Sequence, residues 1–219
     1  SLGLMMPKIA IRSYRPEDDA AIEAAAYRTG FYGEDLTGRG LFEDRRLFFL
    51  MSAYYYTRYE PEHCFVAVEA ESDQALGYIM GSPDTAQQLR RFRSTMIVRI
   101  GLRMLFVTSL RHPGTVGNLL RLARLREEPA SPVGRSHFLT QYPAHLHINL
   151  LPEYQGQSAG TKLMIRFEEH MSRLGVPGIH LRTSNQNHKA LRFYLRMGYT
   201  VVEEARVASH PLFTDFRVI

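Results

Sequence analysis

A run of small and polar residues, Gln155–Thr161, separates a strand-like segment from a helix-like segment. The first amide N–H groups of a helix have no partner inside the helix, and they lie at the positive end of its dipole. Such a turn can bind phosphate groups through its main chain if its side chains are small enough to let the phosphates approach. The pattern predicts a diphosphate site, and the ammonium group of Lys162 is expected at its rim.

The strand before this turn carries a second set of residues that could do chemistry. His145, His147 and Asn149 alternate along it and therefore share one face of the predicted sheet. Imidazole titrates near neutral pH, so a histidine pair could relay a proton. The alternative is that both histidines only satisfy hydrogen bonds within the sheet. A shift of one residue in the strand pairing would move all three side chains to the opposite face.

The elements that must position these residues are predicted from hydrophobic periodicity. The order strand, helix, strand, helix, strand in the second half indicates a mixed α/β sheet. The predicted elements of this half are the strands Ala144–Leu151, Ile179–Thr183, Tyr199–Glu203 and Phe213–Val218, and the helices Ala159–Leu174 and Asn187–Met197. Those of the first half are a strand at Ile9–Ser13, a helix from Pro16 to Gly30, a helical region at Leu41–Arg58, and hairpin strands at Cys64–Ala70 and Ala75–Gly81.

The segment 83–141 lies between the hairpin and the fourth strand. It predicts two helices, Thr85–Leu110 and Gly117–Glu128, followed by a loop at Pro129–Ser136. Its apolar periodicity is too weak for independent folding, so we interpret it as a helical insertion in a single domain of residues 1–219. Nine arginines and no acidic residue lie between positions 86 and 126. This block could meet a phosphate-rich ligand, a nucleic acid or an acidic protein, or it could be a solvated helix face.

Three further segments extend the pattern around the turn. The sequence Gln155-Gly156-Gln157-Ser158-Ala159-Gly160 is similar to a motif Gln/Arg-x-x-Gly-x-Gly/Ala, with Ser158 in place of the first glycine. Gly178–Thr183, the Asn–Ala–Phe–Tyr–Gly block of Asn187–Tyr199, and Leu76–Gly81 follow the same family pattern. Together they resemble the GNAT superfamily of N-acetyltransferases over most of the chain outside about 83–141. The likeness is greatest to the acetyltransferase-like domain of O-GlcNAc hydrolases and its bacterial relatives.

This resemblance implies a fold and a cofactor. The fold would be a mixed central sheet with flanking helices, in which strands four and five splay apart because a bulge interrupts the fourth strand. Acetyl-coenzyme A would lie in the gap, with its thioester oxygen near a backbone N–H of the fourth strand. The implied cofactor-binding residues are Ile148, Leu150, Leu151, Gln155, Gly156, Gln157, Ser158, Ala159, Gly160, Thr161 and Asn187.

The resemblance also implies catalytic roles. Tyr194 matches the family tyrosine that protonates the departing thiolate, and a thiol and a phenol have ordinary pKa values of about 8.5 and 10. A base must take the proton of the attacking amine, and His147 is our candidate, with Glu69 or a chain of waters as alternatives. Asn187 is expected to cap its helix as well as to contact the cofactor. No set of residues has the spacing of a metal site.

Composition sets outer limits on these interpretations. The chain has 219 residues, of which 45% are hydrophobic and 22% charged, as in ordinary globular domains. No apolar run reaches the roughly eighteen residues of a membrane span, and the N-terminus lacks the pattern of a signal peptide. The single cysteine, Cys64, cannot form an internal disulfide, which fits a cytoplasmic location without a membrane partner.

These observations lead to a primary expectation and its competitors. We expect an N-acetyltransferase that passes the acetyl group of acetyl-coenzyme A to a small-molecule or protein amine, by direct attack in a ternary complex. The alternative is a catalytically inactive acyl-coenzyme A-binding protein or interaction module, since Ser158 and the unassigned base leave activity open. Nucleic acid is an unlikely partner because the arginine block carries no stacking or groove-reading motif. A homodimer is compatible with the sequence.

Overall fold

The computed structural model describes residues 8–124, 136–184, 186–205 and 216–218. Five strands form the central sheet in the order β1-β2-β3-β4-β5, and three more form a second sheet in the order β6-β8-β7. The strands are β1 Ile9–Ser13, β2 Cys64–Glu69, β3 Ala75–Ser82, β4 Ala144–Leu150, β5 Ile179–His180, β6 Arg182–Ser184, β7 Glu203–Ala205 and β8 Phe216–Val218. The helices are α1 Asp19–Arg28, α2 Arg45–Ser52, α3 Tyr54–Tyr59, α4 Thr85–Arg103, α5 Ser109–Arg111, α6 Pro113–Arg124, α7 Ser136–Gln141, α8 Ala159–Arg173 and α9 His188–Arg196.

The central sheet is mixed and opens on one side of β4. Antiparallel pairing joins β1, β2, β3 and β4, whereas β4 and β5 are parallel. Only Ala144 and His145 of β4 pair with β5, and the chain then leaves to form β6 in the second sheet. The predicted mixed sheet that splays between strands four and five is confirmed.

The cause predicted for this gap, a bulge in the fourth strand, is wrong. The β3–β4 register runs without a shift from Gly77↔Leu150 to Ser82↔His145. The register shift found in the central sheet lies between Ala67 and Val68, where β2 pairs with β3. The gap follows instead from the short β5, because the predicted strand Ile179–Thr183 is divided at Leu181, whose side chain is buried in the core.

Helices cover both faces of the central sheet, and the side chains of β4 point alternately to one face and the other. Helix α8 lies on one face, where its apolar residues Leu163, Met164, Phe167 and Met171 are fully buried, as their spacing predicted. Ala144 and Leu146 of β4 pack in that same cluster. The opposite face is covered by α1, α2, α3 and α4. His145 and His147 point to this second face, in the register that the sequence alone left open.

Several predicted boundaries differ from the observed ones. The helical region Leu41–Arg58 consists of two helices, α2 and α3, and Pro113 begins α6 instead of separating two helices. Proline fits the first turn of a helix because the N–H that it lacks would have no partner there. Of the predicted loop Pro129–Ser136, the structure describes Ser136, which begins α7, and the rest lies outside the described residues. Part of the predicted strand Phe213–Val218 lies outside them as well.

Helix α4 and the π-helical turn after it, Met104–Thr108, are joined to α2 through a buried carboxylate. Asp44 caps α2 by accepting from the backbone N–H of Leu47, and it also binds Arg103 Nη2 at 2.7 Å and Thr108 Oγ1 at 2.6 Å. Burial raises the pKa of Asp44, but Arg103 and Thr108 outweigh this and the net pKa is lowered. Of the helices that the structure describes, none is long and apolar enough to cross a membrane.

Candidate active site

A cleft of about 810 Å³ opens beside the free edge of β4. Its walls come from β4, the turn before α8, the first turns of α9, and the loop after α1. Nine of the predicted site residues line it: Ile148, Leu150, Gln155, Gly156, Ser158, Gly160, Thr161, Asn187 and Tyr194. The structure therefore brings together most of the residues that the sequence pattern singled out. Leu151, Gln157, Ala159 and His147 do not line this cleft.

The turn before α8 has the backbone geometry that glycine favours. Gly156 has φ 79° and Ser158, the N-cap residue of α8, has φ 63°. A non-glycine residue in this left-handed region costs about 1–2 kcal/mol. The Ser158 side chain is exposed and makes no capping hydrogen bond, so it does not fill the turn. Serine at this position therefore adds backbone strain but leaves the main chain open to the cleft.

The amide groups of the turn are available to a ligand. Lys162 is the first residue of α8 whose backbone N–H has a backbone acceptor, and that acceptor is Ser158 O at 3.0 Å. Within the described chain, the N–H groups of Ala159, Gly160 and Thr161 have no acceptor, as expected for the start of a helix. Lys162, considered as a source of charge at the rim, is not among the cleft residues, and its Nζ donates to Ile9 O at 2.9 Å.

The free edge of β4 offers backbone groups as well. The N–H of Leu151 donates to Leu76 O at 2.9 Å. Because hydrogen-bonded pairs alternate in an antiparallel ladder, the N–H and C=O groups of Ile148 and Leu150 point away from β3 and into the gap. The side-chain amide of Gln155 donates to Leu150 O at 3.1 Å. This bond occupies the Leu150 C=O and leaves the Leu150 N–H and both backbone groups of Ile148 open on the strand.

Tyr194 stands on α9 with its side chain 7% exposed, and it lines the cleft. None of the described residues forms a hydrogen bond with its hydroxyl group. Burial raises the pKa of Tyr194 above its ordinary value. The phenol is therefore protonated at neutral pH, as a proton donor must be, but it is a weaker acid than its ordinary pKa of about 10 implies.

The two histidines of β4 share the hydroxyl group of Tyr56. Tyr56 Oη lies 2.6 Å from Nε2 of His145 and 3.1 Å from Nε2 of His147. His145 is 8% exposed, and its Nδ1 lies 2.7 Å from Thr85 Oγ1. His147, in contrast, is exposed to solvent. The sequence showed the histidine pair but not Tyr56 or Thr85, because no short-range pattern links those positions to β4.

Both histidines are neutral at physiological pH. Burial lowers the pKa of His145 well below 6.5, and the neighbouring imidazoles of His147 and His180 act in the same direction. The pKa of His147 is lowered to about 4 by the surrounding protein, His180 and Arg182. A neutral imidazole is the form that can accept a proton.

Comparisons with known proteins agree with this geometry. The model of the acetyltransferase (GNAT) family matches residues 112–199, which include β4, the turn and α9. The crystal structure of SsHAT is 30% identical to this chain, with a TM-score of 0.69 over 97% of this chain and 98% of that one. The chain belongs to the GNAT family of acetyltransferases. The family and the fold predicted from the sequence are thus confirmed.

Other GNAT proteins are more distant or match over shorter segments. The S-alkylcysteine N-acetyltransferase of Bacillus subtilis (strain 168) is 41% identical over 68 residues, which are 30% of this chain and 38% of that protein. The structure of yncA, a putative acetyltransferase from Salmonella typhimurium solved with its cofactor acetyl-CoA, has a TM-score of 0.52 at 14% identity, covering 96% of this chain and 91% of that one. At this identity, yncA supports the fold alone.

Other residues that line this GNAT cleft were not predicted. Lys189, Arg192 and Arg196 of α9 add positive charge, and their spacing of three and four residues is a signal that could have indicated one helix face. The loop after α1 contributes Tyr32 and Gly33.

The side chain of Asn187 lies between this loop and the start of α9. It caps the helix by accepting from the backbone N–H of Ala190 at 3.1 Å, as predicted. A Cβ atom on Gly33 would lie 3.1 Å from the Asn187 amide nitrogen.

Glu69 and the arginines of α4 lie apart from the cleft. Glu69 accepts a hydrogen bond from the Ser72 hydroxyl at the β2–β3 turn. Arg91 donates to Tyr59 O, Arg99 stacks over the Tyr54 ring, and Arg103 pairs with Asp44. No arginine of this block is among the cleft residues in the described ranges. At least these three arginines have structural contacts.

Proposed function

We propose that this chain is an acetyl-coenzyme A-dependent N-acetyltransferase in which an amine attacks the acetyl group directly, with both substrates bound. One observation carries the proposal. Gly160 and Thr161 at the start of α8, Ile148 and Leu150 at the open edge of β4, and Tyr194 all line one cleft. Membership of the GNAT family supports the same reaction class.

The cleft fits a diphosphate-bearing acyl carrier. The turn at Gly156–Thr161 offers main-chain donors at the positive end of a fifteen-residue helix, and the exposed Ser158 side chain does not block it. Lys189, Arg192 and Arg196 on the facing helix add the positive charge that further phosphate groups need. The Ile148 edge of β4 can pair with the amide groups of an extended arm. When bound, acetyl-coenzyme A supplies the thioester carbon that the amine attacks.

Three residues of this chain then have distinct tasks. The backbone N–H of Ile148 donates to the acetyl oxygen, where negative charge develops. His147, a neutral imidazole beside the gap, takes a proton from the amine. Tyr194, protonated and without a described partner, gives its proton to the departing sulfur. A buried thiolate also has its pKa raised by desolvation, which reduces the mismatch with the weakly acidic phenol.

The acceptor is an amine on a small molecule or a protein. The name of the Bacillus subtilis relative gives its acceptor as an S-alkylcysteine, so a small amino acid derivative is one candidate class. We further propose that residues 1–219 form one domain, with 83–141 as an insertion. The contacts of Asp44 with Arg103 and Thr108 support this arrangement.

Two measurements test the proposal. Calorimetry with acetyl-coenzyme A should show binding, and cofactor at a hundred times its Kd should raise the free energy of unfolding by about 2.7 kcal/mol. Release of free thiol is then followed with a panel of S-alkylcysteines, polyamines, and peptides with free N-termini or lysines. Binding without thiol release for any amine would support an inactive acyl-coenzyme A-binding protein. No binding at all would overturn both functions.

A further inference from the structure

We propose that Tyr56, His145 and Thr85 are positioning residues that hold His147 in a single tautomer, with Nδ1 as its proton-accepting atom. This inference rests on the proposed function. Two of these residues, Tyr56 and Thr85, were not predicted from the sequence, and they lie on the sequence-distant helices α3 and α4. It follows from which atom donates and which atom accepts in each hydrogen bond between Thr85 and His147.

This series of hydrogen bonds begins at the carbonyl group of Pro143, which can only accept. Thr85 Oγ1 lies 2.7 Å from Pro143 O, so the threonine hydroxyl donates its single proton there. The same Oγ1 lies 2.7 Å from Nδ1 of His145. Since the Thr85 proton is already committed, this second bond requires that His145 Nδ1 carries the proton and donates it. A bare Nδ1 would leave two lone pairs facing each other.

The remaining protons follow in sequence. His145 is neutral and carries its proton on Nδ1, so its Nε2 is bare and accepts from the Tyr56 hydroxyl at 2.6 Å. The Tyr56 oxygen is then free to accept from His147 Nε2 at 3.1 Å. His147 therefore carries its proton on Nε2. Its Nδ1 is bare and, among the described residues, has no hydrogen-bond partner.

This series of hydrogen bonds orients His147 but does not hold the proton that His147 takes from the amine. Besides Tyr56, the titratable and charged groups near His145 and His147 are His180 of β5 and Arg182 of β6. A proton moved through Tyr56 to His145 would place a positive charge on a ring that is 8% exposed. A proton kept on His147 can pass to water, because that ring is exposed. The base is thus His147 alone, and the other three groups fix its orientation.

The first test reads the tautomers directly and needs no substrate. In the full chain labelled with ¹⁵N-histidine at pH 7, two-bond ¹⁵N–¹H spectra should show His147 protonated at Nε2 and His145 protonated at Nδ1. Thr85→Val removes the anchor and should convert both histidines to tautomer mixtures, whereas Thr85→Ser should restore the single forms. Tyr56→Phe should affect His147 and leave His145 anchored. Tyr59→Phe, in the same helix and without a described hydroxyl partner, is the control and should change neither.

The second test reads catalysis, with acetyl-coenzyme A and the best amine of the panel. Tyr56→Phe should lower kcat by about 10-fold to 100-fold, the range found when a metal-bound histidine loses the partner that orients it, with KM for acetyl-coenzyme A within about twofold. Tyr59→Phe should leave both unchanged. A wild-type His147 protonated at Nδ1, or one unaffected by Thr85→Val and Tyr56→Phe, overturns the inference. If the wild type acetylates no amine, the function fails while the spectra still decide the tautomer.

Discussion

The cleft and the histidine pair on the neighbouring part of β4 prepare the proposed reaction by different means. On the cofactor side, the turn at Gly156–Thr161 offers main-chain amides, and the side chains there are mostly small. On the other side, which we propose as the acceptor side, His147 is held through the side chains of Tyr56, His145 and Thr85. The first side depends on backbone conformation and the second on the identity of individual atoms. Substitutions should therefore act by opposite rules on the two sides.

Removing one reacting oxygen should have the largest effect. Tyr194→Phe keeps the ring that packs in the core but removes the proton donor, so kcat should fall by about 100-fold or more. The Kd for acetyl-coenzyme A should change by less than about threefold, because the amides of the turn are untouched. Steady-state kinetics and calorimetry measure the two quantities. Tyr199→Phe, whose hydroxyl donates to Glu168 outside the cleft, should keep kcat. Equal losses in both variants would remove Tyr194 from the chemistry.

On the cofactor side, an added methyl group should change stability and acetyl-coenzyme A binding only by straining the backbone. Gly156 has φ 79° and nothing lies within 4 Å of an added Cβ, so Gly156→Ala introduces strain without a clash. We expect about 1–2 kcal/mol less stability and a Kd for acetyl-coenzyme A about tenfold higher. Gly175, with φ 72° after α8, is the matched control. Gly175→Ala should lose the same stability and keep the Kd; a Kd raised equally by both would contradict a local effect.

Acid should destabilise the acceptor side through its neutral histidines. The folded pKa values of His145 and His147 lie below 6.5, so the unfolded chain binds more protons once the pH falls below 6.5. Stability is therefore highest above pH 6.5 and is lost as the pH falls toward the folded pKa values, by up to about 1.4 kcal/mol per pH unit from the buried His145. The exposed His147 contributes less, because solvent screens its charge. Urea unfolding between pH 7.5 and 4.5 should give a smaller loss for His145→Asn than for the wild type. Parallel curves would contradict the neutral buried ring.

The smallest effect is expected at Ser158. Ser158→Gly relieves the strain at φ 63° but adds freedom to the unfolded chain, which leaves a net gain of about 0.5–1 kcal/mol. The Kd for acetyl-coenzyme A should stay within about threefold, since the exposed hydroxyl does not fill the turn. Thermal unfolding and calorimetry report both, with Ser158→Ala as the variant that keeps the strain. A Kd at least tenfold lower for Ser158→Gly would show that serine obstructs the phosphates.

The cofactor side could be predicted from the sequence because its residues are contiguous. The turn, the start of α8 and the Asn187–Tyr199 block each depend on local rules for helix ends and caps, and the structure places most of these residues along one cleft. The catalytic roles of Tyr194 and His147 stay predictions. The bulge inferred for β4 was wrong because the length of β5, which opens the gap, depends on where the chain turns at Leu181.

The acceptor side could be predicted only in part. The alternation of His145 and His147 was visible, but their bonding partners are 60 to 91 residues away in the chain. Neither periodicity nor a motif connects such positions, since tertiary packing alone brings α3 and α4 to β4. Lys162 illustrates the same limit, because its long side chain turned to β1 instead of the turn beside it.

Gly33 limits how the entrance of this cleft can vary. The space for a side chain there is taken by Asn187, whose oxygen already caps α9, and the backbone has φ 89°. Any other residue would both strain the loop and press on the cap, so that loop and helix would move together. Variation in acceptor size should therefore come from Glu34, which also borders the opening, since Tyr32 has a positive φ of 53° as well. Glycine makes position 33 a fixed point beside a position that can change.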